Sequence, residues 1–465
     1  MTASSRPLWP DIRALLALGL PLAGSHMAQF MLAVTDTVML GWYGVHDLAA
    51  GVIGASLFFA IFIFGSGFAN AVMPMVATAA ARDDATEVRR ATRMGLWLSI
   101  GFGVVFLPLF LFSGPILVML SQPPEVIPLA EGYMGLIGYS LVPALVVMVL
   151  KSYLAALGRM RVVLSLTIAA VFVNIFLNWV FIFGNLGAPE MGVRGAALAS
   201  IGVQLVTALG LMGYCAWQPA LRVHALFQRF WRADWQALVQ VWRVGWPIGV
   251  ALVAETALFA ATAIMMGWLG AHQLAAHGIA VEITALLFMV HLGLSNAATV
   301  LVGRARGRCD QAALRAGARA GVIVSMSFAL ATMLVYVLFG PFLVGLFLAP
   351  DEPARGQIIA IGAALLIVAA LFQLADGAQV MGMGLLRGVQ DTRVPMWIAA
   401  FSYWGLGLPV AYLFGFTFGW QGEGVWAGLV VGLSAAAIAL MWRFWRGPGR
   451  ADATPWEQGT PVAAP

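Results

Sequence analysis

The sequence predicts an all-α integral membrane protein, with twelve transmembrane helices in two six-helix lobes related by a pseudo-two-fold axis along the membrane normal. Three observations lead there. The segment Met39-Leu-Gly-Trp-Tyr-Gly-Val-His-Asp-Leu-Ala-Ala50 returns as Met265-Met-Gly-Trp-Leu-Gly-Ala-His-Gln-Leu-Ala-Ala276, identical at eight of twelve positions with an offset of 226. The same offset pairs Gly19 with Gly245, Pro21 with Pro247, Asn70 with Asn296, Arg82 with Arg308, Arg89 with Arg315 and Arg93 with Arg319, so the repeating unit is half the chain. Second, 62% of residues are hydrophobic and 10% charged, far from the roughly one quarter charged of soluble domains. Third, twelve apolar stretches are long enough to cross about 30 Å of hydrocarbon, six in each half. An even number per half gives both halves the same orientation, the parallel-repeat arrangement.

The spans follow in order. The first, 14–40, is too long for a signal-peptide core and holds Asp36, so it is retained as a span. The second, 50–79, stops at the basic run Arg82, Arg89, Arg90 and Arg93, after which the third, 94–118, begins. The fourth, 128–150, ends before Lys151, and the fifth, 162–185, starts after Arg159 and Arg161; the sixth is 194–217. Spans 244–270, 276–302, 319–349, 357–385, 395–418 and 422–442 complete the second half. The expected domains are thus an N-terminal lobe at 1–217, a cytoplasmic linker at 218–243, a C-terminal lobe at 244–446 and a disordered cytoplasmic tail at 447–465, rich in Pro, Ala, Gly and Thr. The linker, with Arg222, Arg229, Arg232 and several Trp, reads as an amphipathic segment anchored at the interface.

Basic residues fix the orientation. Of 25 Lys and Arg, 23 fall at the termini or in the even-numbered loops, and only Arg194 and Arg355 lie opposite. The positive-inside rule makes both termini of this multi-pass chain cytoplasmic. The net charge of +5 is then mostly a topology signal, and no nucleic-acid partner is expected. Cys215 and Cys309 fall on the reducing side, so no disulfide is expected.

Function is sought where the membrane tolerates chemistry least. Asp36, Glu255, Glu282 and Asp376 lie well inside the expected spans, and no Lys or Arg appears deep in those spans to pair with them. A carboxylate there must be protonated, bind a cation or reach water. The plainer reading is a protonated carboxyl that only hydrogen-bonds a neighbouring helix. The repeat shows that the halves have diverged: Asp36 aligns with Thr262, and Glu255 with Gln29. Asn174 and Asn178, one turn apart on one helix face, are expected to join Asp36. Glu255 and Asp376 are expected to share a site, where two carboxylates repel unless a proton or cation enters between them. Pro21, about four turns before Asp36, removes a backbone hydrogen bond and reads as a hinge or as a static kink.

At these residues the chain resembles the multidrug and toxic compound extrusion family, NorM type. The resemblance covers residues 10–445 and rests on Gly19-Leu-Pro21, Asp36-Thr37 with Gly41-Trp-Tyr-Gly44, Val173-Asn-Ile-Phe-Leu-Asn178, Gly192-Val-Arg-Gly-Ala-Ala197, Glu255, Asp376, Leu386-Arg-Gly388 and Asp391-Thr392. It implies a secondary antiporter, without enzymatic activity or cofactor, that exchanges Na⁺ or H⁺ inward for cationic, aromatic drugs outward. Asp36 then resembles the N-lobe acid linked to protonation and bending of the first helix. Glu255 and Asp376 resemble the C-lobe cation site, a Na⁺-binding pair by this implication. Two departures stand out: Phe372 replaces a tyrosine that some members carry, and Asn178 replaces an acid. Glu282 matches no motif of the family and reads as an additional titrating or water-facing group. The remaining partners implied are membrane lipids, with the protein acting as a monomer.

Other classes fit less well. A lipid-linked precursor flippase of the same superfamily is the nearest alternative, but usually has two further spans and a cationic cavity. An intramembrane enzyme would need a nucleophile or metal motif, and neither H-E-x-x-H nor G-x-S-x-G occurs. A primary pump would need G-x-x-x-x-G-K-[ST], which is missing, and a channel filter of the T-V-G-Y-G kind is not found.

Overall fold

The computed structural model describes residues 8–119, 121 and 123–450; the expected tail beyond Arg450 lies outside the described residues. Twelve helices are long and apolar enough to cross a membrane, and no strand occurs among the described residues. They are α1 Trp9–Tyr43, α2 Val45–Ala80, α3 Ala85–Leu111, α4 Ile127–Ala156, α5 Met160–Phe183, α6 Val193–Trp217, α7 Trp235–Leu269, α8 Ala271–Gly307, α9 Gln311–Gly345, α10 Arg355–Gly388, α11 Arg393–Thr417 and α12 Gln421–Arg446. The chain is therefore an all-helical, multi-pass membrane protein.

The duplication is visible in the helix boundaries. α7, α8 and α9 begin 226 residues after α1, α2 and α3. Equivalent aspartates cap two of them: Asp84 accepts from the Glu87 amide and Asp310 from the Ala313 amide, each at 2.9 Å. Each satisfies a donor that the first helical turn leaves without a partner.

Three expectations from the apolar runs are corrected. The third span ends at Leu111, and Gly114–Met119 forms a separate short helix. Pro115 explains the break, because its ring would clash with the Leu111 carbonyl if the helix continued. The fourth and tenth helices run past the ends of their apolar runs, to Ala156 and Gly388, so Lys151 and Arg387 lie inside helices rather than in loops. The spans therefore do contain basic side chains.

The chain divides into two compact units, Gly24–Gly249 and Met1–Ala23 with Val250–Pro465. The divisions fall inside α1 and α7, each just after a proline, Pro21 and Pro247. Within Gly24–Gly249, α2 packs on α3 and α4, and α5 on α6. Met134, Leu141, Leu145 and Phe110 form part of its core, and Ser25 on α1 meets Thr167 on α5 at 3.1 Å. Asp47 accepts from the Val193 amide at 2.8 Å, which fixes the start of α6. Gly192, with φ +53°, is required there, since a Cβ would lie 2.5 Å from the Asp47 carboxylate.

The segment before α7 is tied into this unit. Arg90 binds Asp234 through two bonds of 2.5 and 3.2 Å, Arg93 donates to the Leu226 carbonyl, Trp97 to the Phe230 carbonyl, and Tyr153 meets His224 at 2.7 Å. The Arg90 guanidinium holds the Asp234 carboxyl below its usual range, and partial burial lowers the His224 imidazole.

In the other unit α10 is the central helix, packed by α8, α9 and α12. Beyond Leu371 it is buried on nearly every side, where the small Ala375, Gly377, Gly382 and Gly384 let neighbours approach closely. α11 contains two π-helical segments, Phe401–Gly407 and Leu413–Thr417.

Candidate functional site

Two polar clusters stand in the apolar interior, one in each unit. In Gly24–Gly249 the cluster is built on Asp36. Asn174 and Asn178 both donate to its Oδ1, at 2.9 and 2.6 Å, and Ser200 donates to Oδ2 at 3.3 Å. Asn178 also donates to the Asn174 carbonyl oxygen at 3.3 Å. The helical spacing of the two asparagines on α5 directs both amides to one oxygen, as the sequence suggested. Both asparagines are buried, whereas Asp36 is only partly so. Three donors around one carboxyl suit its ionised form. Tyr133, on α4, lies within electrostatic range.

The second cluster surrounds Asp376 on α10 and Glu255 on α7. The two carboxyls are close enough to repel. Asp376 is 2% exposed, and its Oδ1 is buried with no hydrogen-bond partner among the described residues. The same holds for both amide atoms of Gln373, for Gln379 Oε1 and for the Tyr336 hydroxyl. Gln373 stands one turn before Asp376 and Gln379 one turn after, while Tyr336 on α9 lies in electrostatic range of Asp376. Tyr403 on α11 lies in range of both acids and accepts from Gln379 Nε2 at 2.6 Å. Buried polar atoms left without partners are costly, about 1–3 kcal/mol each, and four oxygens with one amide nitrogen in this state mark a place that a hydrogen-bonding or cationic species would satisfy. Phe372, about one turn before Asp376, packs against Phe259 and Trp426. Hydroxyls nevertheless reach Asp376's surroundings from α9 and α11.

The sequence-derived residues are thus partly assembled. Asp36, Asn174 and Asn178 come together, and Glu255 and Asp376 come together. Glu282 on α8 is exposed and makes no hydrogen bond or ion pair among the described residues. Pro21 lies within the continuous α1, two residues before the division between units. Missed were Ser200, Gln373, Gln379, Tyr336 and Tyr403, along with two basic residues. Arg387, 7% exposed, lies within electrostatic range of Glu255, and Lys151 donates to Gln29 at 3.1 Å. Ser200 had a signal, being one turn after Ala196 on the helix that follows Gly192. Tyr403 had none, because the π-helical turn shifts which side chains face inward.

A family model described as MatE matches residues 21–180 and 247–413, both halves of the duplication. A "Probable multidrug resistance protein NorM" of Rhizobium meliloti is 42% identical over 454 residues, covering 97% of each chain. The protein of the same description from Agrobacterium fabrum is 41% identical over 93% of each chain. Among solved structures, the eukaryotic MATE transporter AtDTX14 superposes with a TM-score of 0.82 at 17% identity, covering 94% of this chain and 95% of that one. An outward-facing multidrug resistance MATE family transporter gives 0.84 at 21%, over 94% and 96%. These two likenesses establish the fold.

Proposed function

Because the chain belongs to the MatE family, we propose that it is a cation-coupled multidrug efflux antiporter, exporting cationic, aromatic compounds across a bacterial inner membrane by alternating access. The supporting observation is the segregated pair of acid clusters, above all Asp376 with its buried, partnerless Oδ1 beside Glu255. The coupling ion is Na⁺ or H⁺, carried as cargo. Asp376, Glu255, Gln373, Gln379, Tyr336 and Tyr403 offer oxygens that suit Na⁺, a hard cation, and the two acids equally suit a proton.

In the outward-facing state the ion neutralises Glu255 and Asp376, and a proton neutralises Asp36, which lowers the cost of burying these groups and displaces the cationic drug. After return to the inward-facing state the ion leaves and the ionised carboxylates accept the next cation. Each ligand shifts the equilibrium only by its differential affinity for the two states. Pro21 serves as the hinge in α1, and Pro247 stands at the equivalent place in α7. Both termini face the cytoplasm, the protein acts as a monomer, and no enzymatic step is required.

The test is efflux of a fluorescent cationic dye from proteoliposomes under an imposed Na⁺ gradient and, separately, a pH gradient. Drive by one gradient that vanishes in Glu255→Gln supports antiport through that acid and names the ion. Dye transport under neither gradient redirects the reading to lipid-linked substrates, which the basic Lys151 and Arg387 inside helices make a fairer rival than composition suggested.

A further inference from the structure

The duplication places one stretch of helix in two different surroundings. α9 begins 226 residues after α3, so Arg93 and Trp97 correspond to Arg319 and Ile323. On α3 this face is covered by the chain itself. Arg93 donates to the Leu226 carbonyl and Trp97 to the Phe230 carbonyl, the Trp97 and Phe230 rings lie 6.3 Å apart, and Asp234 neutralises Arg90. On α9 no described segment plays that part. Arg319 and Ile323 are exposed, and neither Arg315 nor Arg319 makes a hydrogen bond or ion pair among the described residues.

The bare face is strongly positive. From Arg304 to Arg319 stand five arginines and one acid, Asp310, whose carboxylate is committed to the Ala313 amide. Arg315 and Arg319 lie one turn apart on one side of α9, and Arg315 Nε is buried without a partner. Further along the same side come Ile323, Leu330 and Leu334, 45%, 56% and 59% exposed, interrupted by the small Ser327. A topology bias accounts for basic residues at this end of a span, but not for two guanidiniums set directly above an apolar stripe. From Arg319 to Leu330 the helix rises about 16 Å, close to one leaflet's half of roughly 30 Å of hydrocarbon. The face thus offers a charged head and an apolar run as long as one acyl chain.

We propose that this face of α9 binds an anionic phospholipid, its phosphate held between Arg315 and Arg319 and an acyl chain lying along Ile323, Leu330 and Leu334. Guanidinium groups pair with phosphate oxygens through two parallel hydrogen bonds, which gives the site a geometry as well as a charge. Phosphatidylglycerol keeps a net negative charge and suits two arginines. Phosphatidylethanolamine carries the same phosphate with an ammonium, for which this face has no carboxylate to spare. In Gly24–Gly249 the segment before α7 fills the corresponding face, so the two halves of the duplication differ in that one of them accepts lipid. The site does not depend on the efflux reading.

The experiment measures binding of fluorescent phosphatidylglycerol, and of phosphatidylethanolamine with the same label and chains, to the full chain in micelles of an uncharged detergent. Wild type should prefer phosphatidylglycerol, and Arg315→Gln and Arg319→Gln should each weaken that binding about fivefold while leaving phosphatidylethanolamine unaltered. Replacing both arginines with lysine keeps the charge and should retain the preference. Arg393 supplies the control: it is exposed at the start of α11, at the same end of the unit, where Arg306 of α8 donates to the Val389 carbonyl just before it. Arg393→Gln should leave binding unaltered, and a loss equal to that of Arg319→Gln assigns the effect to general surface charge and overturns the site. Equal affinity for the two lipids, or unaltered binding when Arg315→Gln and Arg319→Gln are combined, overturns it as well. Tighter phosphatidylglycerol binding in Asp452→Asn with Glu457→Gln assigns the face to the chain's own C-terminal acids and likewise overturns it.

Discussion

Replacing Tyr403 with phenylalanine isolates one bond of the C-terminal cluster. The hydroxyl accepts from Gln379 Nε2 at 2.6 Å, with both side chains buried. Gln379 Oε1 already has no partner, so the variant leaves the whole amide unsatisfied. The ring is kept and no cavity opens, so the loss is that of a buried donor stripped of its acceptor, about 1–3 kcal/mol. Gln379→Leu removes the amide instead, and the double variant removes both partners. Because an unmatched group costs more than an absent pair, the cycle should show a coupling of about 1–2 kcal/mol. Equilibrium unfolding in mixed detergent micelles, followed by tryptophan fluorescence, measures each corner. Additive single variants refute the reasoning. Repeating the series against NaCl adds a second readout: wild type should gain stability as Na⁺ rises, and Tyr403→Phe should gain less, if the hydroxyl lies in the ion's shell.

Other outcomes follow from the same structure. Asn178→Leu removes the 2.6 Å donor to Asp36, worth about 1.5–3 kcal/mol to a charged acceptor, and should lower dye efflux at least about tenfold while Asn178→Asp does not restore it. Gly192→Ala should destabilise by about 1–3 kcal/mol, from a positive φ and collision with Asp47, measured by thermal unfolding in detergent. Arg90 lowers the Asp234 carboxyl, so the docking of the 223–234 segment is fully present above the ordinary carboxylate value of about 4 and weakens as pH falls below it. Asp234→Asn should show accelerated proteolysis of that segment at neutral pH, and wild type should approach it only in acid.

The architecture was legible because its signals are long: apolar runs and a basic bias extend over the chain, and a gapless repeat extends over the first three spans of each half. The Asp36 cluster was legible because Asn174 and Asn178 share a helix face by spacing alone. Lys151 and Arg387 were misplaced because an apolar run stops at the first charge, whereas the helix continues for as long as its backbone bonds are satisfied. Tyr336 and Tyr403 come from helices remote in sequence, and only packing around α10 brings them to Asp376. The π-helical register of α11 further hides Tyr403 from any reading by regular helical period.

The central claim is that ion and drug exchange through one protein, and reciprocal coupling tests it most directly. Proteoliposomes loaded with a cationic dye on one side, without any ion gradient, should drive Na⁺ or H⁺ in the opposite direction, read by an ion-sensitive reporter on the far side. This flux should be lost in Asp36→Asn combined with Glu255→Gln. Dye movement without opposing ion flux, or coupled flux intact in that double variant, would contradict the account.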